Sequence, residues 1–293
     1  MQTIASIVSY NPDIPLLESS LFSVVSQVDR ILIIDNCSSN IKELKALVSQ
    51  FESTYPGKVS CLFNQENYGM AFALNQAVAY CKQIGCQWLL TLDQDSILPP
   101  NMIDEYSKYC KDDVGQICCN IVNPEEADLD ITMMSPLTVQ SSKGDYKDAY
   151  PVYACITSGS LLNVNAFIKS GGVDNDLFID YVDYDISLKL YYHGYNNLFL
   201  PHIKFKHHFG NAEKKKVLGI SFTDYNYSPF RMYYKARNGR YMKKTYPEFK
   251  KVFSKSMLYD FGCAVLCWRV DCIRSFLKGL SDSKIFINKI NIT

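Results

Sequence analysis

The chain carries no net charge: Lys and Arg together number 30 and are matched by 30 Asp and Glu. That balance argues against nucleic acid as a partner. There is no run of 18 apolar residues, so no membrane-spanning helix is expected. There is also no Cys-x-x-Cys pair. The cysteines are eleven, an odd number, and none of their separations suits zinc. Scattered in this way they suit small apolar core residues in a reducing, cytosolic compartment. No basic stretch or cleavage site precedes the strand-like Thr3-Ile4-Ala5-Ser6-Ile7-Val8-Ser9, so no signal peptide is expected. No internal repeat and no low-complexity segment is present. What remains is 293 residues, 47% of them hydrophobic, enough for one large domain or a domain with an appendage. Aromatic rings are plentiful, with 21 Tyr and 16 Phe. They suit flat, partly polar ligands such as sugars and bases as well as packing.

The first half alternates strands and helices. Strands are expected at Thr3 to Ser9, Arg30 to Asp35, Val59 to Phe63 and Trp88 to Leu92. Helices are expected at Pro12 to Val25, Ile41 to Glu52 and Gly69 to Ile84. Such a series implies an α/β architecture with a parallel sheet covered on both faces. Right-handed crossovers then bring the strand ends at Tyr10-Asn11, Asp35-Asn36, Asn64 and Asp93 to one edge, where open α/β sheets bind ligands. Residues 125 to 150 read as a loop or short antiparallel strands. A strand is expected at Ser158 to Asn163, a short helix at Asn165 to Ser170 closed by Gly171-Gly172, and another at Asp183 to His193. One or two strands are expected between Leu198 and Phe205. The stretch from Pro229 to Leu280 reads as mostly helical, with a broad apolar face from Met257 onward. That face could dock on the core or lie on a membrane surface.

Several constellations carry chemistry, each with a plainer alternative. The apolar strand Trp88 to Leu92 ends in Asp93-Gln94-Asp95-Ser96. Two carboxylates there could hold a hard cation against phosphate oxygens, or form a polar turn in which Asp95 or Ser96 caps the next element. Asp35 could accept from a base or ribose, or the stretch Asn36 to Asn40 could simply cap a helix. Asn67-Tyr68-Gly69 opens a helix, whose N-terminus favours anions, or is an ordinary turn. Asp180, Asp183 and Asp185 crowd a helix start. Acids favour such a start electrostatically, and three together raise each other's proton affinity, as a general base requires. His207-His208 succeeds a strand as a metal or phosphate contact, or as solvated or core histidines. Arg231, Lys235 and Asn238 share one helix face, with Arg237 adjacent, as a phosphate or lipid-headgroup clamp or a solvated basic face.

In this order the pieces resemble inverting glycosyltransferases of family 2, with a GT-A fold, and most closely the bacterial rhamnosyltransferase branch. The matching stretches are Val8-Ser9-Tyr10-Asn11, Ile33-Ile34-Asp35-Asn36-Cys37-Ser38, Asn67-Tyr68-Gly69 with Ala73-Leu74-Asn75, and Leu92-Asp93-Gln94-Asp95-Ser96. They continue with Ser158-Gly159-Ser160, Phe178-Ile179-Asp180-Tyr181-Val182-Asp183-Tyr184, His207-His208-Phe209-Gly210 and Arg231-Met232-Tyr233-Tyr234-Lys235-Ala236-Arg237-Asn238. The resemblance runs from residue 3 to about 240. It departs from the wider family at Val182-Asp183, where many members have Glu-Asp, and at Lys189, where an Arg is common.

The resemblance implies a Rossmann-like GT-A domain over residues 1–228 with a mainly parallel sheet and helices on both faces. Within it, 1–96 would be the nucleotide half and 97–228 the acceptor and base half, with a helical extension over 229–293. It implies Asp183 as catalytic base, and Ser9, Tyr10, Asn11, Asp35, Asn67, Gly69, Asp93, Gln94, Asp95 and Arg237 on the donor. Ser158, Gly159, Asp180 and Tyr184 would face the acceptor, and Asp93, Asp95 and His207 would hold Mg²⁺ or Mn²⁺. The implied donor is dTDP-L-rhamnose, with UDP-galactose, UDP-glucose or a UDP-amino sugar as alternatives. The implied acceptor is a lipid-linked oligosaccharide of O-antigen or capsule assembly at the cytoplasmic face of the plasma membrane. Three rivals fit less well. A haloacid-dehalogenase-type phosphatase would place its first Asp near the chain start, and a sugar nucleotidyltransferase would carry a Gly-rich first loop. A degenerate, non-enzymatic assembly partner would not be expected to retain Asp93, Asp95 and Asp183.

Overall fold

The computed structural model describes residues 2–122, 148–206, 213–217 and 219–290. The chain divides into two units. One comprises Met1–Asp176 with Asp183–His208, the other Leu177–Val182 with Phe209–Thr293.

The first unit is built on a run of apolar strands. Strand β1 (Thr3–Ser9) is buried at all seven positions, which requires cover on both sheet faces. It pairs in parallel with β2 (Arg30–Asp35) on one side and with β4 (Trp88–Asp93) on the other, and β3 (Val59–Phe63) extends the sheet beyond β2. Helix α1 (Ile14–Val24) starts where Asp13 accepts from the amide of Leu16 at 3.0 Å. Helix α2 (Ile41–Thr54) buries Leu44, Leu47 and Phe51, spaced to form one face. Helix α3 (Gly69–Gln83) completes the crossover into β4. Each element of this series lies where the sequence predicts, with ends differing by a residue or two.

Beyond β4 the sheet changes character. After the short helix α4 (Met102–Ser107) come β5 (Val114–Val122), β6 (Tyr150–Val152) and β7 (Ser160–Asn163). Helices α5 (Val164–Lys169) and α6 (Val182–Tyr192) then lead to β8 (Asn196–Lys206). The eight strands run in the order β3-β2-β1-β4-β7-β5-β8-β6. Strand β7 is antiparallel to both β4 and β5, β8 is parallel to β5, and β6 is antiparallel to β8. Strand β5 escapes prediction because Gln116 and Asn120 break its apolar run. Both are buried, and Gln116 accepts from the Ser187 hydroxyl at 3.1 Å. The stretch Leu198 to Phe205, expected as one or two strands, is a single strand with a slip. Its pairing with β5 jumps from Leu200 to Lys204, passing over Pro201, which has no amide hydrogen for the ladder. Most of the stretch 125–150, expected as a loop or short strands, lies outside the described residues.

In the second unit an antiparallel hairpin, β9 (Glu213–Val217) and β10 (Ile220–Asp224), precedes three helices. These are α7 (Pro229–Thr245), α8 (Lys250–Leu266) and α9 (Val270–Ile290). The hairpin is not legible in sequence because Glu213-Lys214-Lys215-Lys216 shows no apolar alternation. Helix α7 opens with Ser228 accepting from the Arg231 amide at 3.3 Å and Pro229 in the first turn. Met232 and Ala236 of α7 pack with Met257 and Ala264 of α8 and with Cys272 and Phe276 of α9. The approach of α9 to α7 depends on Gly279, where an added Cβ would lie 2.2 Å from the Tyr233 carbonyl oxygen.

Two of the helical glycines of this unit, Gly279 and Gly262, should respond oppositely to alanine. Gly279→Ala forces backbone apart and should destabilise by about 1–3 kcal/mol, the usual cost of overpacking. Gly262→Ala meets nothing within 4 Å and should stabilise by about 0.5–1 kcal/mol through helix propensity. Denaturant midpoints of the two variants check both signs.

Candidate active site

The carboxyl ends of β1, β2 and β4 are tied to one another by side chains. Asp35 closes β2 and has no solvent exposure. Its Oδ1 accepts from the Ser9 hydroxyl at 3.1 Å and from the Ser38 hydroxyl, and its Oδ2 accepts from the Ser38 amide at 3.0 Å. Ser38 Oγ in turn accepts from the Asn11 amide at 2.8 Å, while Asn11 Oδ1 accepts from the Ser39 amide at 2.7 Å. The turn after β1 is thereby fixed to the turn after β2. Its other side is fixed to β4, because the Tyr10 amide donates to Gln94 Oε1 at 2.9 Å. Tyr10 itself stays half-exposed at the rim.

A second chain of contacts extends along the same edge. The Asn64 amide donates to the Asp35 carbonyl at 2.8 Å. Asn64 Nδ2 reaches Asn36 Oδ1 at 2.9 Å, and Asn36 Nδ2 reaches the Gly69 carbonyl at 3.3 Å. Asn67 Oδ1 accepts from the Gly69 amide at 2.9 Å, which closes the entry to α3. On β3, burial and the charge of Asp35 push the Cys61 thiol up to about 12, so it stays protonated. The sequence motifs therefore mark a bonded group of Ser9, Tyr10, Asn11, Asp35, Asn67, Gly69 and Gln94. Asn36, Ser38 and Asn64 join it as connectors. Two of them sit inside the sequence motifs, but a connecting role leaves no signature in sequence.

Asp93, Gln94 and Asp95 are half-buried at the end of β4 and Ser96 is buried. Ser158 braces this turn: its Oγ accepts from the Asp93 amide at 3.4 Å and lies 3.1 Å from Ser96 Oγ. The Gly159 amide donates to the Thr91 carbonyl at 2.8 Å, and the Gly159 carbonyl accepts from the buried Tyr106 hydroxyl at 2.8 Å. Asp93 and Asp95 form a donor set of hard carboxylate oxygens, which fits Mg²⁺ or Mn²⁺ and leaves coordination positions for phosphate oxygens and water. Among the described residues no group of three His, Cys, Asp or Glu side chains gathers at metal-binding distance. His207, expected as a third ligand, lies outside the described residues.

The acidic run before and within α6 separates into three environments. Asp185 is fully buried and bonds Lys189 Nζ at 2.8 Å. Asp180 is gripped by Arg231, with Nη2 to Oδ1 at 2.6 Å and Nε to Oδ2 at 3.2 Å. Asp183 sits half-buried in the first turn of α6, with Tyr184, whose amide donates to Asp183 Oδ1 at 3.0 Å. Mutual repulsion among three bare carboxylates is therefore not the arrangement, since Asp180 and Asp185 each hold a cation. On α7, Lys235 and Asn238 face inward and are not part of a solvated basic face, while Arg231 pairs with Asp180 and keeps part of its side chain exposed. Lys235 is 9% exposed and bonds Asp260 at 2.9 Å, and Asn238 is fully buried. Arg237 lies 4.1 Å from the Phe286 ring and donates from Nε to Asn238 Oδ1 at 3.0 Å.

The family model described as Glycosyl transferase family 2 matches residues 5–171. A dTDP-rhamnosyl transferase of Shigella flexneri, RfbF, is 27% identical over 242 residues, covering 80% of this chain and 77% of its own. Among solved structures, a mannosyltransferase of Pyrobaculum calidifontis in complex with GDP-Man and Mn²⁺ aligns with a TM-score of 0.61 at 14% identity. That alignment covers 97% of this chain and 75% of the other. GalNAc-T7 with UDP, GalNAc and Mn²⁺ aligns with a TM-score of 0.57 at 17% identity, over 90% of this chain and 57% of that one. At these identities the two structures speak to the fold, and the shared fold is GT-A.

Asp35→Asn places an amide NH₂ or a weaker acceptor against the Ser9 and Ser38 donors. It should cost about 1–3 kcal/mol, the range for disturbing a buried, charge-assisted hydrogen bond. A lowered denaturant midpoint with an unchanged slope checks this.

Proposed function

The chain belongs to glycosyl transferase family 2, and we propose that it is an inverting rhamnosyltransferase that moves L-rhamnose from dTDP-L-rhamnose to a hydroxyl of a lipid-linked oligosaccharide. The observation that carries a transferase is the cross-bonded sheet edge, in which Asp35, the turn after β1 and the Asp93-Gln94-Asp95 turn form one connected surface. The choice of rhamnose is supported by the likeness to the Shigella rhamnosyl transferase over most of both chains.

In this reading Tyr10, Asn11 and Asp35 make up the nucleotide-base side, where Asp35, itself buried, serves by fixing the turns after β1 and β2. Asn67 and the amide end of α3 at Gly69 favour the diphosphate, as helix N-termini favour anions. Asp93 and Asp95, with His207, would hold Mg²⁺ or Mn²⁺, whose charge offsets that growing on the departing diphosphate. Ser158, Gly159, Asp180 and Tyr184 belong to the acceptor side. Asp183 takes the proton of the acceptor hydroxyl as its oxygen forms a bond to the anomeric carbon. The bond from that carbon to the diphosphate oxygen breaks on the opposite face, so configuration inverts. Losing the Asp183 carboxylate removes a general base and should slow transfer about 10²–10⁴-fold.

The acceptor class implies a membrane surface, and the second unit carries a face suited to one. No helix among the described residues is long and apolar enough to cross a membrane. Trp268 at the α8–α9 turn is 85% exposed, and Leu258 and Ile285 are 70% and 75% exposed. Lys251, Lys255, Arg274, Lys278 and Lys284 are exposed on the same two helices. An apolar groove of about 370 Å³ opens between them, lined by Met257, Leu258, Phe261, Phe276 and Leu277. Apolar side chains amid basic ones are the pattern of an interfacial surface facing anionic lipid, as at the inner leaflet.

Nucleotide release from a panel of donors, with Mg²⁺ or Mn²⁺, tests the reaction. The expected result is preferential release from dTDP-L-rhamnose, lost on chelation and reduced about 10²–10⁴-fold in Asp183→Asn. Preference for UDP-galactose or UDP-glucose would replace the donor, and turnover undiminished in a folded Asp183→Asn would remove the base. Co-sedimentation with phosphatidylglycerol vesicles tests the surface. Leu258→Ser with Trp268→Ser and Ile285→Ser should weaken binding by about tenfold or more, given roughly 0.8 kcal/mol per buried CH₂. Equal partitioning of variant and parent would sink the membrane role.

A further inference from the structure

The segment Leu177–Val182 immediately precedes Asp183 in the chain, and its backbone is unusual. Phe178, Asp180 and Tyr181 have φ of 62°, 62° and 65°. None is glycine, and a left-handed conformation is disfavoured for aromatic side chains in particular. Three such residues within four positions persist only where surrounding contacts over-determine them.

Those contacts come mainly from α7, joined by Phe253 of α8, which meets the Tyr181 ring edge-on at 5.9 Å. Asn238 of α7 is fully buried, and its Nδ2 donates to the carbonyls of Leu177 at 2.8 Å, Ile179 at 2.8 Å and Asp180 at 3.1 Å. Its Oδ1 is occupied by Arg237 Nε at 3.0 Å, which turns the amide donors toward the segment. Arg231, two turns earlier on α7, forks the Asp180 carboxylate. The Phe178 ring stacks on Tyr234, with centroids 5.1 Å apart and planes at 17°, and meets Phe230 edge-on at 5.7 Å. Gly239, next to Asn238, leaves room for Tyr181: an added Cβ would lie 3.1 Å from the Tyr181 hydroxyl and 2.5 Å from Met257 Sδ. Lys235 Nζ lies over the Tyr181 ring at 5.9 Å, so side chains of α7 reach every strained residue of the segment.

From this geometry we infer that Asn238 and Arg231 are positioning residues for the transfer reaction: they lock residues 177–182 in a single strained conformation that sets where α6 starts and therefore where the Asp183 carboxylate points. The inference rests on the reading of Asp183 as the base. It gives the run Arg231 to Asn238 an inward mechanical role, distinct from contact with any ligand.

The test uses full-length protein carrying Asn238→Asp, which is nearly isosteric but replaces the amide donors with oxygens that repel the three carbonyls. Amide hydrogen exchange across residues 178–183 should accelerate about tenfold or more, as expected when local opening becomes easier. The kcat on dTDP-L-rhamnose should fall about 10–100-fold, the scale of a base displaced by about 1 Å. KM for that donor, and the affinity for dTDP with Mn²⁺, should stay within about twofold, since uniform binding is untouched. A structural role without a positioning role predicts a lower melting temperature with kcat unchanged. Should Asn238→Asp not fold, Arg231→Lys keeps the charge but loses the fork, and should show the same changes at smaller size. Unchanged exchange at 178–183, or faster exchange with unchanged kcat, overturns the inference. If the parent protein releases nothing from dTDP-L-rhamnose, the donor assignment fails, and the exchange measurement still decides whether α7 holds the segment.

Discussion

A carboxylate without access to water must be surrounded by donors, and Asp35 meets that demand by recruiting the loops at the ends of two different strands. Ser9 comes from the end of β1, while Ser38 supplies both its amide and its hydroxyl from the turn after β2. An unsatisfied buried charge would cost several kcal/mol. The two turns therefore have one stable arrangement, and Asn11 and Tyr10 are carried into place with them. Because Tyr10 is bonded to Gln94, the order imposed by Asp35 extends to the carboxylate pair of β4. The candidate nucleotide side and the candidate metal side of the edge are thus held as one surface.

Two different stabilising strategies serve the two units. The first relies on a sheet whose central strands are buried on both faces, so that its candidate site residues stand on rigid strand ends. The second relies on helices drawn close by Gly279 and on two ion pairs, the buried Lys235 with Asp260 and the part-buried Asp180 with Arg231. Such pairs add specificity of arrangement more readily than net stability. That suits a helix whose task is to hold a strained backbone in one conformation.

Much of this was legible in the sequence, and the parts that were not share a cause. The strands β1 to β4 are apolar runs bounded by turn residues, and the right-handed crossover rule brings their ends together without any structural knowledge. Asp35, Asp93 and Asp95 stand out as carboxylates at such ends, and Asp183 as part of an acidic run at a helix start. Strand β5 was hidden because the buried polar residues Gln116 and Asn120 interrupt its apolar run, and Gln116 finds its partner, Ser187, far along the chain. Arg231, Lys235 and Asn238 were legible as one helix face, but spacing says nothing of which way a face points. Their partners, Asp180, Asp260 and the carbonyls of residues 177–180, lie far away or belong to backbone that carries no sequence signal. Local pattern reveals elements and edges; it does not reveal long-range pairing of polar groups.

The central claim is that one carboxylate, Asp183, activates the acceptor while the diphosphate departs from the opposite face. The configuration of the transferred sugar tests it most directly, whatever that sugar proves to be. Proton and one-bond carbon–proton couplings at the anomeric centre, measured by NMR on freshly formed product and on the donor, give the answer. The account predicts opposite anomeric configurations in donor and product. The same configuration in both would contradict it.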